Sequence, residues 1–495
     1  MTDETKFTRV GSLPKTTTAT SRLPLVLTRI VWVLWALSLV VATLRLSSSE
    51  SWSLLGLFSI DGLTVVMWVV VTFFSGIVHS YSRRYMAGDS ALDKFFGNVF
   101  AFTLVVMALV ATDSLVVFVA LWLTMGLVMS ALIGHVDAWD HARTAATHAL
   151  RYFTGSSALL AVSFAALWWQ TGASTVSAVA SAEIEPSGAV LFAVAMLLLA
   201  AMIQSALLPF HTWLLSSMTA PTPASALMHA GFVNAGGILL LRFAPVVTAD
   251  GSFMLAIVAV GATSALVGKL LKSVQTDVKG KLGCSTVGQM GFMFMQAGLG
   301  FFGAAITHLI VHGFYKAYQF LSAGGTVEHA SPDGTYAAKQ PVGVVGFAVT
   351  VLTALAGGVL FAVTTGEGTA FDSGVLLAGL VVLTTMHATR EMVRHAALPA
   401  FLRYGAIPLV FLPAIGVYAL VYKAIEHALV GVPFVTAPTE LTPVHAVVAA
   451  AFVLAYVTIE SGVYRRSTRL YMALVNATRP ASGTIVTTRE EYNEH

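Results

Sequence analysis

Apolar runs that repeatedly approach or exceed the roughly 20 residues of a bilayer crossing constrain this chain more than any other feature. Bounded by polar residues, glycine or proline, they fall at about 24–46, 60–82, 96–112, 114–135, 152–170, 188–208, 223–244, 252–272, 284–299, 302–323, 342–364, 374–389, 404–422 and 443–463. Hydropathy therefore predicts about 14 transmembrane helices. Composition agrees: 57% of the 495 residues are hydrophobic and only 10% are charged, with mean hydropathy +0.80. A soluble domain carries about a quarter charged residues. The fold class is an all-α polytopic membrane protein, with a transmembrane domain over 24–465 and tails at 1–23 and 466–495. A net charge of +3 is too small and too scattered to point to nucleic acid, and one cysteine, Cys284, excludes an internal disulfide.

Basic residues fix the expected orientation. Alternate loops hold Arg83, Arg84 and Lys94; Arg143 and Arg151; Lys272, Lys279 and Lys281; Lys339; Arg390, Arg394 and Arg403; and finally Arg465, Arg466, Arg469, Arg479 and Arg489. The opposite loops carry Glu183, Glu185, Glu367, Asp372 and Glu440, with Arg45, Arg242 and Lys423 only near helix ends. The positive-inside bias predicts an even number of spans with both termini cytoplasmic. The polar start precedes an apolar segment too long for a signal-peptide core and reads as a short cytoplasmic tail. All loops are short, so chemistry is expected inside the membrane or on a partner.

Ionisable groups at membrane depth are costly and point to function. In "AAITHLIVHGFYKAYQF", His308, His312 and Lys316 are spaced i, i+4, i+8. At 100° per residue they share one stripe with steps of about 6 Å. Histidine titrates near neutral pH and a buried lysine can exchange its proton, so the stripe reads as a proton or cation relay. The competing reading is three satisfied packing contacts. The HxxxH spacing can hold a metal, but no cysteine or carboxylate adjoins and a cation follows, so no metal site is expected.

A second irregularity is "LLPFHTWLLSSMTAPTPASALMHAG", Leu207 to Gly231. Pro209, Pro221 and Pro223 each remove a backbone donor, and the freed carbonyls must be re-satisfied by protein or water. The stretch reads as a broken helix of the transporter type, with His229 in the buried axis and His211 at the interface. Lys269 either snorkels outward or joins the pathway. Asp61 and Asp113 open spans as N-caps or gates, capping being the simpler reading. His387, His445 and Glu460 lie in late spans, where Glu460 is expected to pair with a basic neighbour.

Three stretches, "LPFHTWLLSSMTAPTPASALMHA", "QTDVKGKLGCSTVGQMGFMF" and "THLIVHGFYKAYQFLSAGG", resemble the antiporter-like subunits of respiratory complex I and the Mrp sodium/proton antiporters, as do "SIDGLT" and "ATDSLVVF". The resemblance covers residues 55–330. It implies two inverted five-helix repeats, with broken helices centred on Pro209 and near Leu321, and a hydrated axis containing His229, His308, His312 and Lys316. Departures from the pattern are informative. Leu123 follows Trp122 where the family has Glu, Gln204 precedes Ser205 where it has Lys, and "VTVLTALAGGVLFAVTTGEG" lacks the family's second-repeat Lys. The chain runs only a short way past Arg469, without a long lateral helix.

"MGFMFMQAGLGFFGAAITHLIVHGFYKAYQFLSAGG" is most similar to the DabB branch, the membrane subunits of inorganic-carbon accumulation systems. That resemblance implies a cell inner-membrane location and a DabA-like, carbonic-anhydrase-related partner that carries the zinc, with no cofactor in this chain. It also implies energisation of CO2 or bicarbonate uptake by H+ or Na+. Two alternatives remain: a cation/proton antiporter or proton-pumping complex I subunit, and a non-conducting membrane anchor for the partner.

Overall fold

A computed structural model describes residues 21–48, 51–182, 184–324, 343–395 and 400–479. Lys339, Arg489 and Glu183, used above to orient the chain, lie outside them. Helices account for nearly all of the regular structure because a backbone in lipid must satisfy its own polar groups. The first half contains α1 (Leu23–Ser48), α2 (Gly62–Tyr85), α3 (Leu92–Ala111), α4 (Leu115–Ile133), α5 (Asp140–Thr171), the short α6 (Val176–Ser181) and α7 (Gly188–Gln204). After them come α8 (Thr212–Ser216), α9 (Thr222–Ala230), α10 (Ala235–Arg242) and the single turn α11 (Ala244–Val247). The second half holds α12 (Gly251–Val274), α13 (Val278–Gly298), α14 (Phe302–Leu321), α15 (Val344–Thr365), α16 (Ser373–His395), α17 (Ala400–Ala428) and α18 (Pro443–Ser461), then α19 (Val463–Arg466) and α20 (Thr468–Ala477). One small hairpin pairs β1 (Trp52–Leu54) with β2 (Phe58–Ile60), Trp52 opposite Ile60.

Eleven helical runs among the described residues are long and apolar enough to cross a membrane, with Thr222–Arg242 counted as one. Apolar α7 is shorter, at 17 residues, and α13 and α14 span 21 and 20 residues but carry the polar side chains. These fourteen rods match the fourteen apolar segments one for one. The chain is a multi-pass membrane protein.

Alternation of the ends follows from the loop contacts. At one end, Phe58 bridges Thr112, Ser114 bridges Thr175 and Phe301 bridges Thr436. At the basic end, Lys94 meets Asp137, Tyr85 donates to Thr222 and Lys279 donates to the Met218 and Ala220 carbonyls.

Helix packing is tightest between α12 and α13. A Cβ on Gly268 would lie 2.4 Å from the Gly288 nitrogen, so two bare backbones touch there. Small residues permit this approach in lipid, and it sets Lys269 against the neighbouring helices. Residues Thr468–Ala477, within the segment read as a C-terminal tail, form α20, where Leu474 and Val475 pack against Leu271 and Val274 of α12. One expectation needs correction. Of the three prolines, only Pro209 lies in the α7 break. Pro221 and Pro223 start α9, as its N-cap and in its first turn, where a missing N–H costs nothing.

Candidate functional site

Helix α14 presents the predicted stripe. The His308 and His312 rings stack with centroids 5.8 Å apart and planes 12° apart. Lys316, fully buried, donates its Nζ to the Leu282 carbonyl at 2.9 Å. Thr286 donates to the same carbonyl at 3.0 Å. Its hydroxyl proton is thereby used, so at 2.9 Å it accepts from His229 Nδ1. That fixes the tautomer of His229 and turns Nε2 into a buried acceptor. The His229 ring stacks on Phe320 at 4.4 Å. Lys316 and Thr286 thus converge on one backbone oxygen, and His229 is joined to it through the Thr286 hydroxyl. Among the described residues, His229 Nε2, His308 Nε2 and both ring nitrogens of His312 have no hydrogen-bond partner. The stacked rings do not converge their nitrogens, and no three metal-ligating side chains come together among the described residues.

His308 opens onto two cavities. One of about 200 Å³ is lined by Ser285, Gln289, His308, His312, Tyr315 and Tyr418. The second, of about 600 Å³, shares His308, Ser285, Gln289 and Tyr418 and reaches Lys269 and His387. At its far side stands a charged chain that no local pattern announces. Lys269 Nζ lies 2.9 Å from His387 Nε2; an ammonium only donates, so His387 carries its own proton on Nδ1 and gives it to Glu460 Oε1 at 2.8 Å. Arg390 Nε sits 3.3 Å from Glu460 Oε2. Lys269 therefore lines the cavity rather than snorkelling away from it, and Glu460 has the basic neighbours expected of it.

The break after α7 is neutral. Beyond Gln204, Ser205 caps the helix and Ala206 takes a left-handed φ of 51° before Pro209 and α8. Freed carbonyls are covered by side chains. Trp213 donates to Ile203 O at 2.9 Å, Ser205 to Val233 O at 2.7 Å and Asn234 to Ala230 O at 2.8 Å. The last two serve a second irregularity, the 3-10 turn Phe232–Asn234, which starts three residues past His229 and which no proline marks. Gln204 is fully buried with neither side-chain polar atom paired among the described residues. Trp122 donates to Ser156 at 3.0 Å, and Ser156 to the Ala200 carbonyl of α7 at 2.9 Å. Helix α14, by contrast, runs unbroken to Leu321. Residues 325–342, just beyond the expected second break, lie outside those described.

Residues 111–357 match the family described as "NADH:quinone oxidoreductase/Mrp antiporter, TM", and residues 48–96 match "NADH-Ubiquinone oxidoreductase (complex I), chain 5 N-terminus". The chain belongs to the antiporter-like membrane-subunit family. Over 301 residues it is 37% identical to the probable inorganic carbon transporter subunit DabB1 of Halothiobacillus neapolitanus, covering 59% of this chain and 54% of that protein. Over 316 residues it is 36% identical to the probable DabB of Bacillus subtilis, covering 62% and 61%. Subunit L of the NADH-quinone oxidoreductase of Mycobacterium tuberculosis is 36% identical over 275 residues, covering 54% and 43%. The matched stretches thus span between 43% and 61% of these relatives' own lengths. The Mrp complex from Dietzia sp. DQ12-45-1b shares the fold, with TM-score 0.56 and 21% identity, covering 95% of this chain and 52% of that one.

Within this antiporter-like subunit, several residues singled out in the sequence stand apart from the axis. Asp61 caps α2, accepting from Thr64 N at 2.9 Å, and is clasped by the Arg242 guanidinium. Asp113 accepts from Ser177 N and Oγ at 2.8 and 2.7 Å, tying the α3–α4 turn to α6; Ser114 is the cap of α4. His211 Nε2 contacts the Ala477 carbonyl of α20 at 3.2 Å. His445 completes a capping box at the start of α18. Two buried histidines were not singled out: His135, whose Nε2 meets Asp89 at 3.2 Å, and His79, bonded to Ser75 O at 2.8 Å. The only signal for His79 was its place inside an apolar run.

Proposed function

We propose that this chain is a cation-conducting subunit, passing H+ or Na+, that energises inorganic-carbon uptake by a DabA-like, carbonic-anhydrase-related partner. The observation that carries this reading is the buried stripe of unpartnered histidine nitrogens beside Lys316, opening through His308 into a cavity that reaches Lys269 and His387, with Glu460 behind His387. Leaving polar atoms unpaired in apolar surroundings costs about 1–3 kcal/mol each, and a cavity of this size with His308, Lys269, His387 and Gln289 in an otherwise apolar wall offers water the polar partners it needs. Water bridging the rings of His308 and His312 makes a relay across their 5.8 Å separation. Similarity to the DabB subunits supports the choice of inorganic carbon as the beneficiary.

In this reading the basic end faces the cytoplasm of a cell whose inner membrane holds the chain. A zinc ion held by that partner would supply hydroxide for the hydration of CO2, and the residues of this chain would carry the proton so released. Gln204, Ser205, Pro209, Pro221 and Pro223 shape the broken-helix half; His229, His308, His312 and Lys316 handle the ion.

The test is carbon uptake and growth rescue by His312→Ala and Lys316→Ala in cells that also make the partner. Both variants are expected to lose uncoupler-sensitive uptake while still co-purifying with the partner. Full rescue by both would sink conduction and leave a membrane anchor. Uptake that needs no carbonic-anhydrase-like partner would favour the antiporter or complex I alternative.

A further inference from the structure

At the end opposite the basic face, the loop Gly366–Asp372 joins α15 to α16 and carries a half-buried carboxylate, Glu367. The hydroxyl of Tyr422, on α17, donates to Glu367 Oε1 at 3.0 Å. Tyr422 is itself fully buried, so a phenol in the protein interior reaches out to a carboxylate that touches solvent. One helical turn deeper on the same face of α17 stands Tyr418, and Phe361 packs beside both rings. Tyr418 and Phe361 line the 600 Å³ cavity, and Tyr418 also lines the 200 Å³ cavity with His308 and His312. A single turn of α17 therefore separates Glu367 from the space that holds the polar axis. The neighbouring Glu426 is already engaged by Lys423 at 2.8 Å and Thr436 at 3.0 Å, and Asp372 caps the Gly374 nitrogen at 2.8 Å.

We propose that Glu367 is the proton port at this end of the pathway and that Tyr422 and Tyr418 connect it to the cavity. The inference rests on the conduction reading above and commits it to protons: successive phenols pass protons but offer no shell of oxygens for Na+. An ionised Glu367 accepts from Tyr422. A protonated Glu367 donates to it, and the Tyr422 hydroxyl proton turns inward toward Tyr418. The phenol gives one proton and gains one, so its charge never changes. Burial, opposed by the Tyr422 hydrogen bond and raised further by Glu426, pushes the Glu367 carboxyl up to about 6, with Lys423 lowering it and Asp372 raising it. The port is thus half-loaded in mildly acidic surroundings.

The experiment is proton flux into right-side-out vesicles from cells producing the full chain, with membrane potential clamped, internal pH fixed and external pH varied. Wild-type flux should level off below external pH of about 6 and fall above it, as Glu367 loses its proton. Glu367→Gln should reduce flux by about tenfold or more and erase that inflection. Tyr422→Phe should also reduce flux, whereas Glu367→Asp should keep the inflection. If His312→Ala abolishes flux while Glu367→Gln and Tyr422→Phe retain both wild-type flux and the inflection, the port is overturned and the conduction reading stands. If His312→Ala leaves flux unchanged, the conduction reading fails and takes the port with it.

Discussion

The two halves of this bundle bury their polar groups in opposite ways. Around the α7 break, every paired group named above is neutral and bonds to a carbonyl or a hydroxyl: Trp122 through Ser156, Trp213 to Ile203, Ser205 to Val233. From α12 to α18, the cavity wall carries Lys269 and His387, and behind it a line of titratable side chains runs from Lys269 to His387 to Glu460 to Arg390. A broken helix therefore needs only side-chain donors for its freed carbonyls; charge is a separate requirement, met here in the second half.

The largest effect expected of that contrast comes from Glu460→Ala. The carboxylate side chain is 6% exposed and bridges His387 and Arg390. Removing it leaves Arg390, and Lys269 behind His387, without that counter-charge. Breaking one partner of a buried ion pair costs about 3–5 kcal/mol, to be read as a lowered unfolding midpoint in detergent together with lost ion flux. Next is Gln204→Lys. It places an ammonium at a fully buried site, where a charge is costly unless paired. A drop of about 2–4 kcal/mol is expected for the single variant. Adding Leu123→Glu should return about 1–3 kcal/mol as a double-mutant coupling. Zero coupling would mean that the two positions do not face each other, and that the neutral half was never built for a charged pair.

The spans were legible in the sequence because lipid leaves hydropathy little competition. The stripe was legible because His308, His312 and Lys316 repeat at the helical period on one element. The Lys269–His387–Glu460 chain was not, since its members lie 118 and 73 residues apart on three helices and only packing brings them together. The α12–α13 approach that seats Lys269 depends on Gly268 meeting Gly288, a contact that composition cannot register. Pro221 and Pro223 misled because a proline that starts a helix and one that breaks it look alike without the preceding backbone. The 3-10 turn at Phe232–Asn234 carries no breaker beyond Gly231, so periodicity ran straight through it. The helix Thr468–Ala477 was not legible because ten residues are too few for a span.

The smallest of these effects is the sharpest test of the contrast. Ser156 accepts from the Trp122 indole at 3.0 Å and donates to Ala200 at 2.9 Å, fastening α4 and α5 to α7 just above the break. Ser156→Ala strands the Trp122 N–H, whose residue is 1% exposed, in apolar surroundings. The Ala200 carbonyl loses only a second partner, because it also lies inside helix α7. The expected loss is about 1–2 kcal/mol for one unsatisfied buried donor, visible as a modest fall in the unfolding midpoint. None of His229, His308, His312, Lys316 and Glu367 is touched, so on the conduction proposed above flux per folded molecule should stay at the wild-type level. Flux that falls as far as in Glu460→Ala would mean that ions also cross the neutral half, and that the hydroxyls and amides around Gln204 carry them without charge.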